Sequence, residues 1–162
     1  MRVERSPDAL ERRPRAVAIG TFDGVHRGHR AVLDAARSAA REQELVPTVV
    51  TFDPHPRSVV RGNQVELLST LERRLELLAD AGVEETLVVE FTPELSRLEP
   101  GDFAETFLRA IGTRVVVAGE GFRFGRARGG DLRLLQGLGL DVRPVALADG
   151  VSSSAIRALL RR

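Results

Sequence analysis

Two of the chain's three histidines, His26 and His29, lie in a glycine-rich segment, GTFDGVHRGH, at residues 20–29. If a helix begins there, both imidazoles share one face of its first turn. Glycine lets the backbone come close to a ligand, and a helix N-terminus attracts anions through its free N–H groups. The pattern therefore predicts a site for a phosphate that gains charge during a reaction. The alternatives are a surface turn with inactive histidines and a metal-binding pair.

Three further segments carry residue types suited to ligand binding. The segment TFDPHP, residues 51–56, is a turn fixed by two prolines that could also form a rim for a planar ligand. Residues 119–131 combine five glycines, three arginines and two phenylalanines, which predicts a mobile cationic flap over a ligand, or alternatively a solvated surface loop. The segment SSSAIR, residues 152–157, could cap a helix or cradle a triphosphate.

The composition excludes several classes of chemistry. All 24 basic residues are arginine, so the chain has no lysine for a P-loop, a Schiff base or a general base. It also has no cysteine for thiol catalysis or thiolate metal sites. The net charge of +1 argues against a general nucleic-acid binder. Neither a membrane span nor a signal peptide is indicated, so we expect no membrane partner and a cytoplasmic location.

The elements that must position these residues alternate along the chain. Short β-branched runs predict strands at residues 16–19, 48–52, 86–91, 115–118 and 142–147. Amphipathic periodicity predicts helices at residues 28–44, 70–81, 102–111 and 131–138, and a last helix opening at residues 152–154. This alternation is typical of an α/β, Rossmann-like three-layer fold with a mostly parallel five-stranded sheet. Residues 1–13 are interpreted as an N-terminal arm or a weak edge element, and residues 14–162 as one domain.

Together, the four segments resemble the adenylyltransferase module of the prokaryotic FAD synthetase family, within the HxGH nucleotidyltransferases. They occur in the family's order and extend from about residue 15 to the end of the chain. The resemblance implies the reaction of ATP with FMN to give FAD and pyrophosphate. It implies Mg²⁺ carried mainly by the nucleotide phosphates, with no metal ligand supplied directly by the protein. The partners implied are thus ATP and FMN, and the oligomeric state is left open because the sequence has no coiled-coil heptads.

The resemblance also implies a role for each matching residue. The catalytic residues are His26 and His29, which act on the α-phosphate. The ATP-binding residues are Gly20, Thr21, Phe22, Gly24, Gly28, Ser152, Ser153, Ser154 and Arg157. The FMN-binding residues are Asp53, Pro54, His55, Phe122, Arg123 and Arg128.

The chain departs from the family pattern at three points. Gly121 stands where the family usually has Asn or Asp, and Ser154 where it usually has Thr. The riboflavin kinase barrel that usually follows is missing, so we expect either a stand-alone adenylyltransferase or an excised module. Two other functions remain open: nucleotidyl transfer to another acceptor, such as pantetheine phosphate, nicotinamide mononucleotide or a small alcohol phosphate, and a degenerate nucleotide or flavin sensor without turnover.

Overall fold

A computed structural model of the chain describes residues 1–25, 27–54, 56 and 70–146. In this part of the chain, six strands form one sheet. They are β1 (Arg2–Glu4), β2 (Arg15–Ile19), β3 (Val46–Asp53), β4 (Glu85–Glu90), β5 (Thr113–Gly119) and β6 (Asp141–Val145). The helices are α1 (Arg27–Gln43), α2 (Leu71–Asp80), α3 (Pro93–Ser96), α4 (Pro100–Ala104) and α5 (Leu132–Gly137). None of these described helices is long and apolar enough to cross a membrane.

The sheet is parallel throughout, with strand order β1-β4-β3-β2-β5-β6. From β2 the chain moves outward to β3 and β4, then returns to the other side of β2 for β5 and β6. The strand order therefore reverses between β2 and β5. Parallel sheets of this kind bind ligands beyond the carboxyl ends of the strands at such a reversal.

Helices cover both faces of the sheet, which gives three layers and two apolar cores. On one face, α1 packs Val32, Leu33 and Ala36 against inward-facing strand residues such as Val49 and Val117. On the other face, the core contains Phe103, Leu108 and Leu135 against residues that include Val50 and Val116. Adjacent strand residues thus contribute to opposite cores. Because both faces are buried, the central strands consist of continuous apolar runs in the sequence. The predicted three-layer α/β fold is confirmed.

The predicted number of five strands is wrong, because residues 2–4 add a sixth strand at the sheet edge. Arg2 donates its backbone N–H to the Glu84 carbonyl at 3.0 Å, and Val3 lies opposite Thr86 in the parallel register. The strand is short, largely exposed and has a single apolar residue. Backbone pairing with β4 and a hydrogen bond from Arg2 Nη2 to the Ala9 carbonyl at 2.9 Å hold it in place, as in the second interpretation of residues 1–13, a weak edge element.

The four predicted helices before residue 146 are all present, and two of their starts have side-chain caps. Thr70 accepts a hydrogen bond from the Arg73 backbone N–H before α2, and Asp131 accepts one from the Leu134 N–H before α5. Both are favoured N-cap residues because their oxygens satisfy N–H groups left unpaired at a helix start. The third predicted helix is observed as α4 followed by a π-helical turn, Glu105–Arg109. The predicted last helix lies outside the described residues.

A buried ionic cluster lies at the amino end of the sheet. The Arg15 side chain is fully buried, and its guanidinium donates to the Ile111 carbonyl at 2.9 Å and to Thr48 Oγ1 at 3.0 Å. It also donates to the Glu85 carboxylate and to the Glu11 carbonyl. A buried charge is tolerated when it is paired and its donors find acceptors, as they do here. The cluster ties β2, β3 and β4 together at the end opposite the candidate site.

Candidate functional site

The segment after β2, residues 20–25, forms a tight turn that we call the glycine loop. Phe22, Gly24 and Val25 all have positive φ angles, of 53°, 77° and 41°, and the Val25 N–H donates to the Phe22 carbonyl at 3.1 Å. A positive φ is unfavourable for a side-chain-bearing residue, so the surrounding packing must hold the turn in place. Phe22 is 1% exposed and Asp23 is fully buried. The glycine loop is therefore anchored to the core by buried side chains.

The glycine loop leads directly into α1, as predicted. Gly28 is buried and His29 is partly exposed in the first turn of the helix. The His29 ring contacts the edge of Phe22, with ring centroids 5.2 Å apart and planes at 65°. An imidazole held by a buried aromatic ring at a helix N-terminus is well placed to donate to an anion.

The end of β3 provides a second polar segment beside the glycine loop. Asp53 is partly buried, and its Oδ2 lies 3.9 Å from Nη1 of Arg5 in the N-terminal segment. Pro54 follows and is exposed. Since β2 and β3 are adjacent parallel strands, the glycine loop and Asp53 leave the same edge of the sheet.

A buried arginine that the sequence analysis did not select lies beneath both segments. Arg74, on α2, is 1% exposed, and its Nη1 donates to Thr51 Oγ1 at 3.2 Å and to the Phe52 carbonyl at 2.8 Å. Burial lowers the pKa of the Arg74 guanidinium from its ordinary value, while the charges of Asp23 and Asp53 act in the opposite direction. The sequence feature that could have identified Arg74 is its position one turn before Leu78, on the buried face of α2.

The third segment, residues 120–131 after β5, is called the aromatic loop. It was expected to be a flap over a ligand, but Phe124 is 6% exposed and packs against Phe103, with centroids 5.4 Å apart. Phe122 stacks on Phe124 at 5.8 Å. Backbone hydrogen bonds in both directions between Phe124 and Gly130 close the loop. Phe124 therefore extends the apolar core and does not face a ligand, while the mobility predicted for this loop stays a prediction.

The two FMN-binding arginines predicted in the aromatic loop occupy different surroundings. Arg123 Nη1 lies 3.7 Å from Asp131 Oδ2, the same carboxylate that caps α5. Arg128 is exposed, with a positive φ of 55°. Arg123 is thus oriented by a fixed partner, while Arg128 projects from the turn Arg126–Arg128.

Replacing Gly125 with alanine is expected to destabilise the protein by at least about 1 kcal/mol. Gly125 has a φ of 76°, and a Cβ there would lie 2.8 Å from the Pro100 Cα. The matched control is Gly121→Ala in the same loop, since a Cβ on Gly121 meets nothing within 4 Å. Urea unfolding measures both variants, and we expect the control to stay within about 0.5 kcal/mol of the parent. Equal stabilities would show that the close approach at Gly125 is easily relaxed.

The structure brings together the described members of the predicted site. All three segments lie at the carboxyl ends of strands that are neighbours in the sheet. The glycine loop follows β2, Asp53 and Pro54 lie at the end of β3, and the aromatic loop follows β5. Six predicted site residues lie outside the described part of the chain: His26, His55, Ser152, Ser153, Ser154 and Arg157. Among the residues described, no group of three or more His, Cys, Asp or Glu side chains is arranged to hold a metal ion.

Comparison with a solved structure identifies the same fold in another protein. A crystal structure described as a macrolide-efflux protein from Streptococcus pneumoniae superposes with a TM-score of 0.83. The superposition covers 97% of this chain and 56% of that one at 24% sequence identity. At this level of identity, the likeness concerns the fold alone.

Sequence comparisons are more specific. The chain is 43% identical over 115 residues to a bifunctional riboflavin kinase/FMN adenylyltransferase of Listeria monocytogenes, covering 69% of this chain and 36% of that protein. It is 32% identical over 160 residues to a protein of the same organism named FAD synthetase, covering 93% of this chain and 65% of that one. Residues 8–152 match the model of the FAD synthetase family. This match spans most of the chain and includes the glycine loop, the end of β3 and the aromatic loop, so the chain belongs to the FAD synthetase family.

Proposed function

We propose that the chain transfers the adenylyl group of ATP to FMN, giving FAD and pyrophosphate. A phosphate oxygen of FMN attacks the α-phosphorus of ATP, a new P–O bond forms, and the bond from the α-phosphorus to the bridging oxygen of the β-phosphate breaks. The electron pair of that bond leaves with pyrophosphate. No protein nucleophile is needed, which suits a chain without lysine and cysteine.

The observation that carries the proposal is the position of the glycine loop. It runs directly into the N-terminus of α1 at the point where the strand order reverses between β2 and β5. Backbone N–H groups and the positive dipole end of a helix stabilise a phosphate that gains negative charge. In this proposal His26 and His29 donate to the α-phosphate, while Gly24 and Gly28 permit close backbone approach.

The other ligand contacts follow the family pattern. The wall beside ATP is assigned to Gly20, Thr21 and the backbone of Phe22, whose side chain is 1% exposed. The β- and γ-phosphates are assigned to Ser152, Ser153, Ser154 and Arg157. The FMN side is assigned to two places. These are the end of β3, with Asp53, Pro54 and His55, and the aromatic loop, with Phe122, Arg123 and Arg128. The inward packing of Phe122 on Phe124 leaves Phe122 only partly exposed, so its contribution is an edge of the pocket rather than a lid.

Mg²⁺ and cellular location are also part of the proposal. We infer that Mg²⁺ enters with ATP and is held mainly by its phosphates, as is usual for this ion, where it offsets their charge. A cytoplasmic location is inferred from the nature of the substrates and from the lack of cysteine.

The proposal is tested with the purified chain, Mg-ATP and FMN. Chromatography follows FMN loss and FAD formation, and a coupled assay measures pyrophosphate. We expect one pyrophosphate for each FAD, with no product when ATP is omitted. Tight FMN or ATP binding without product would support a sensor instead. If FMN is not used and another phosphate acceptor releases pyrophosphate from ATP, the acceptor assignment is wrong while nucleotidyl transfer stands.

A further inference from the structure

Arg74 has an unusual environment for an arginine on a helix. It is 1% exposed, and its Nη1 makes two hydrogen bonds to the end of β3. Among the described residues, its Nε has no hydrogen-bond partner. A buried guanidinium with an unsatisfied donor costs stability compared with an apolar residue of similar size. Such a residue is better explained by what it holds in place than by the stability it provides.

The hydrogen bonds of Arg74 connect it to the glycine loop and to the end of β3. Thr51 accepts from Arg74 and in turn donates its hydroxyl to the Thr21 carbonyl in the glycine loop, at 2.9 Å. The second bond of Arg74 is to the carbonyl of Phe52, the residue before Asp53. One guanidinium is therefore linked to the glycine loop through a single hydroxyl and to the end of β3 directly.

Electrostatics adds to this linkage. The cation lies in the field of both Asp23 and Asp53, one in each segment. The fully buried Asp23 and the partly buried Asp53 would repel an anionic substrate bound near them, and the Arg74 cation offsets part of that repulsion.

We propose that Arg74 is a positioning residue of this site, fixing the glycine loop relative to the end of β3 through Thr51. This inference rests on the proposed function, in which one segment holds ATP and the other FMN. In-line attack requires the two phosphates to be aligned closely, and a displacement of about 1 Å can cost about a hundredfold in rate. Loss of the linkage is therefore expected to lower kcat more than it raises KM.

Strand β3 offers a matched control. Thr48 is buried like Thr51, and its hydroxyl also accepts from a buried arginine, Arg15 Nη1, at 3.0 Å. It also donates to a backbone carbonyl, that of Val46, at 3.1 Å. The two threonines differ in the group to which they donate: Thr51 donates to the glycine loop, whereas Thr48 donates to its own strand at the opposite end of β3.

The experiment compares Thr51→Val, Thr51→Ser and Thr48→Val with the parent. Valine removes the hydroxyl at nearly constant shape, and serine restores it. We expect Thr51→Val to lower kcat by about tenfold or more, with the KM values for ATP and FMN changing much less. Thr51→Ser should recover most of kcat. The kcat of Thr48→Val should stay within about twofold of the parent value, even though its Tm falls by about as much as that of Thr51→Val.

A double-mutant cycle tests whether Arg74 acts through Thr51. Arg74→Met should lower kcat at least as much as Thr51→Val, and the double variant should be no slower than Arg74→Met alone, because residues that act as a unit are not additive. Multiplied effects in the double variant would contradict the linkage.

A second measurement keeps the inference independent of the proposed function. Amide hydrogen exchange of the peptide containing residues 20–25 should quicken in Thr51→Val and remain unchanged in Thr48→Val. If the parent makes no FAD, the proposed function fails, and the exchange result alone decides whether Arg74 and Thr51 hold the glycine loop. Equal behaviour of Thr51→Val and Thr48→Val in both kcat and exchange would overturn the positioning role.

Discussion

Replacement of His29 with alanine is expected to slow FAD formation by at least about a hundredfold, the effect of losing one preorganised donor to developing charge. His29 lies in the first turn of α1 and is held against the Phe22 ring. Its imidazole is therefore oriented before the substrate arrives. The measurement is the initial rate of FAD formation at saturating Mg-ATP and FMN, which isolates kcat from binding.

The matched control for His29 is Arg30→Ala, the next residue on the same helix, whose side chain is exposed. Both variants should retain the parent's Tm within a few degrees, since neither side chain belongs to the buried cores. Only His29→Ala should lose turnover. A rate near that of the parent for His29→Ala would remove this residue from the catalytic assignment.

Replacement of Arg15 with methionine is expected to destabilise the fold by about 3–5 kcal/mol, because it leaves the Glu85 carboxylate buried without its main partner. Glu85 is 6% exposed, and a second cation, Arg13, lies 3.5 Å away on a side chain that is 45% exposed. The Ile111 and Glu11 carbonyls also lose a donor. Urea unfolding followed by circular dichroism measures the change.

The control for Arg15 is the double variant Arg15→Met/Glu85→Met. Removing both charges avoids the unpaired carboxylate, so the double variant should be more stable than Arg15→Met alone. If the free energy of unfolding of Arg15→Met lies within about 1 kcal/mol of the parent value, Arg13 and solvent compensate for the loss of Arg15.

The fold was largely predictable because periodicity and turn residues agree along most of the chain. Apolar residues on one face of α1 and buried runs such as Val115–Val117 leave few alternatives to a parallel three-layer sheet. Two elements could not be predicted from periodicity, although a weak edge element was one of the two interpretations of residues 1–13. Strand β1 depends on backbone hydrogen bonds to β4, and α3 has only four residues, beginning at Pro93 after the Thr92 cap. Elements this short carry too few side chains for a periodic pattern.

The candidate site was predictable where it consists of local sequence and not where it depends on packing. The glycine loop was located from its own residues, since the turn and the following helix are encoded together. Arg74 was missed because its partners, Thr51 and Phe52, are distant in sequence and become neighbours only when α2 packs on β3. The aromatic loop was misread for the same reason, as composition does not tell whether Phe124 faces a ligand or Phe103.

Strand β3 has a buried arginine–threonine contact near each end, and the two contacts have different roles. The contact at Thr48 supports folding, while the contact at Thr51 lies beside the glycine loop, which the proposed function assigns to ATP. Mutations that raise stability often reduce activity when both properties depend on the same residues. Here the residues lie at opposite ends of one strand, so the amino end of the sheet offers positions where thermostable variants can be selected without loss of turnover.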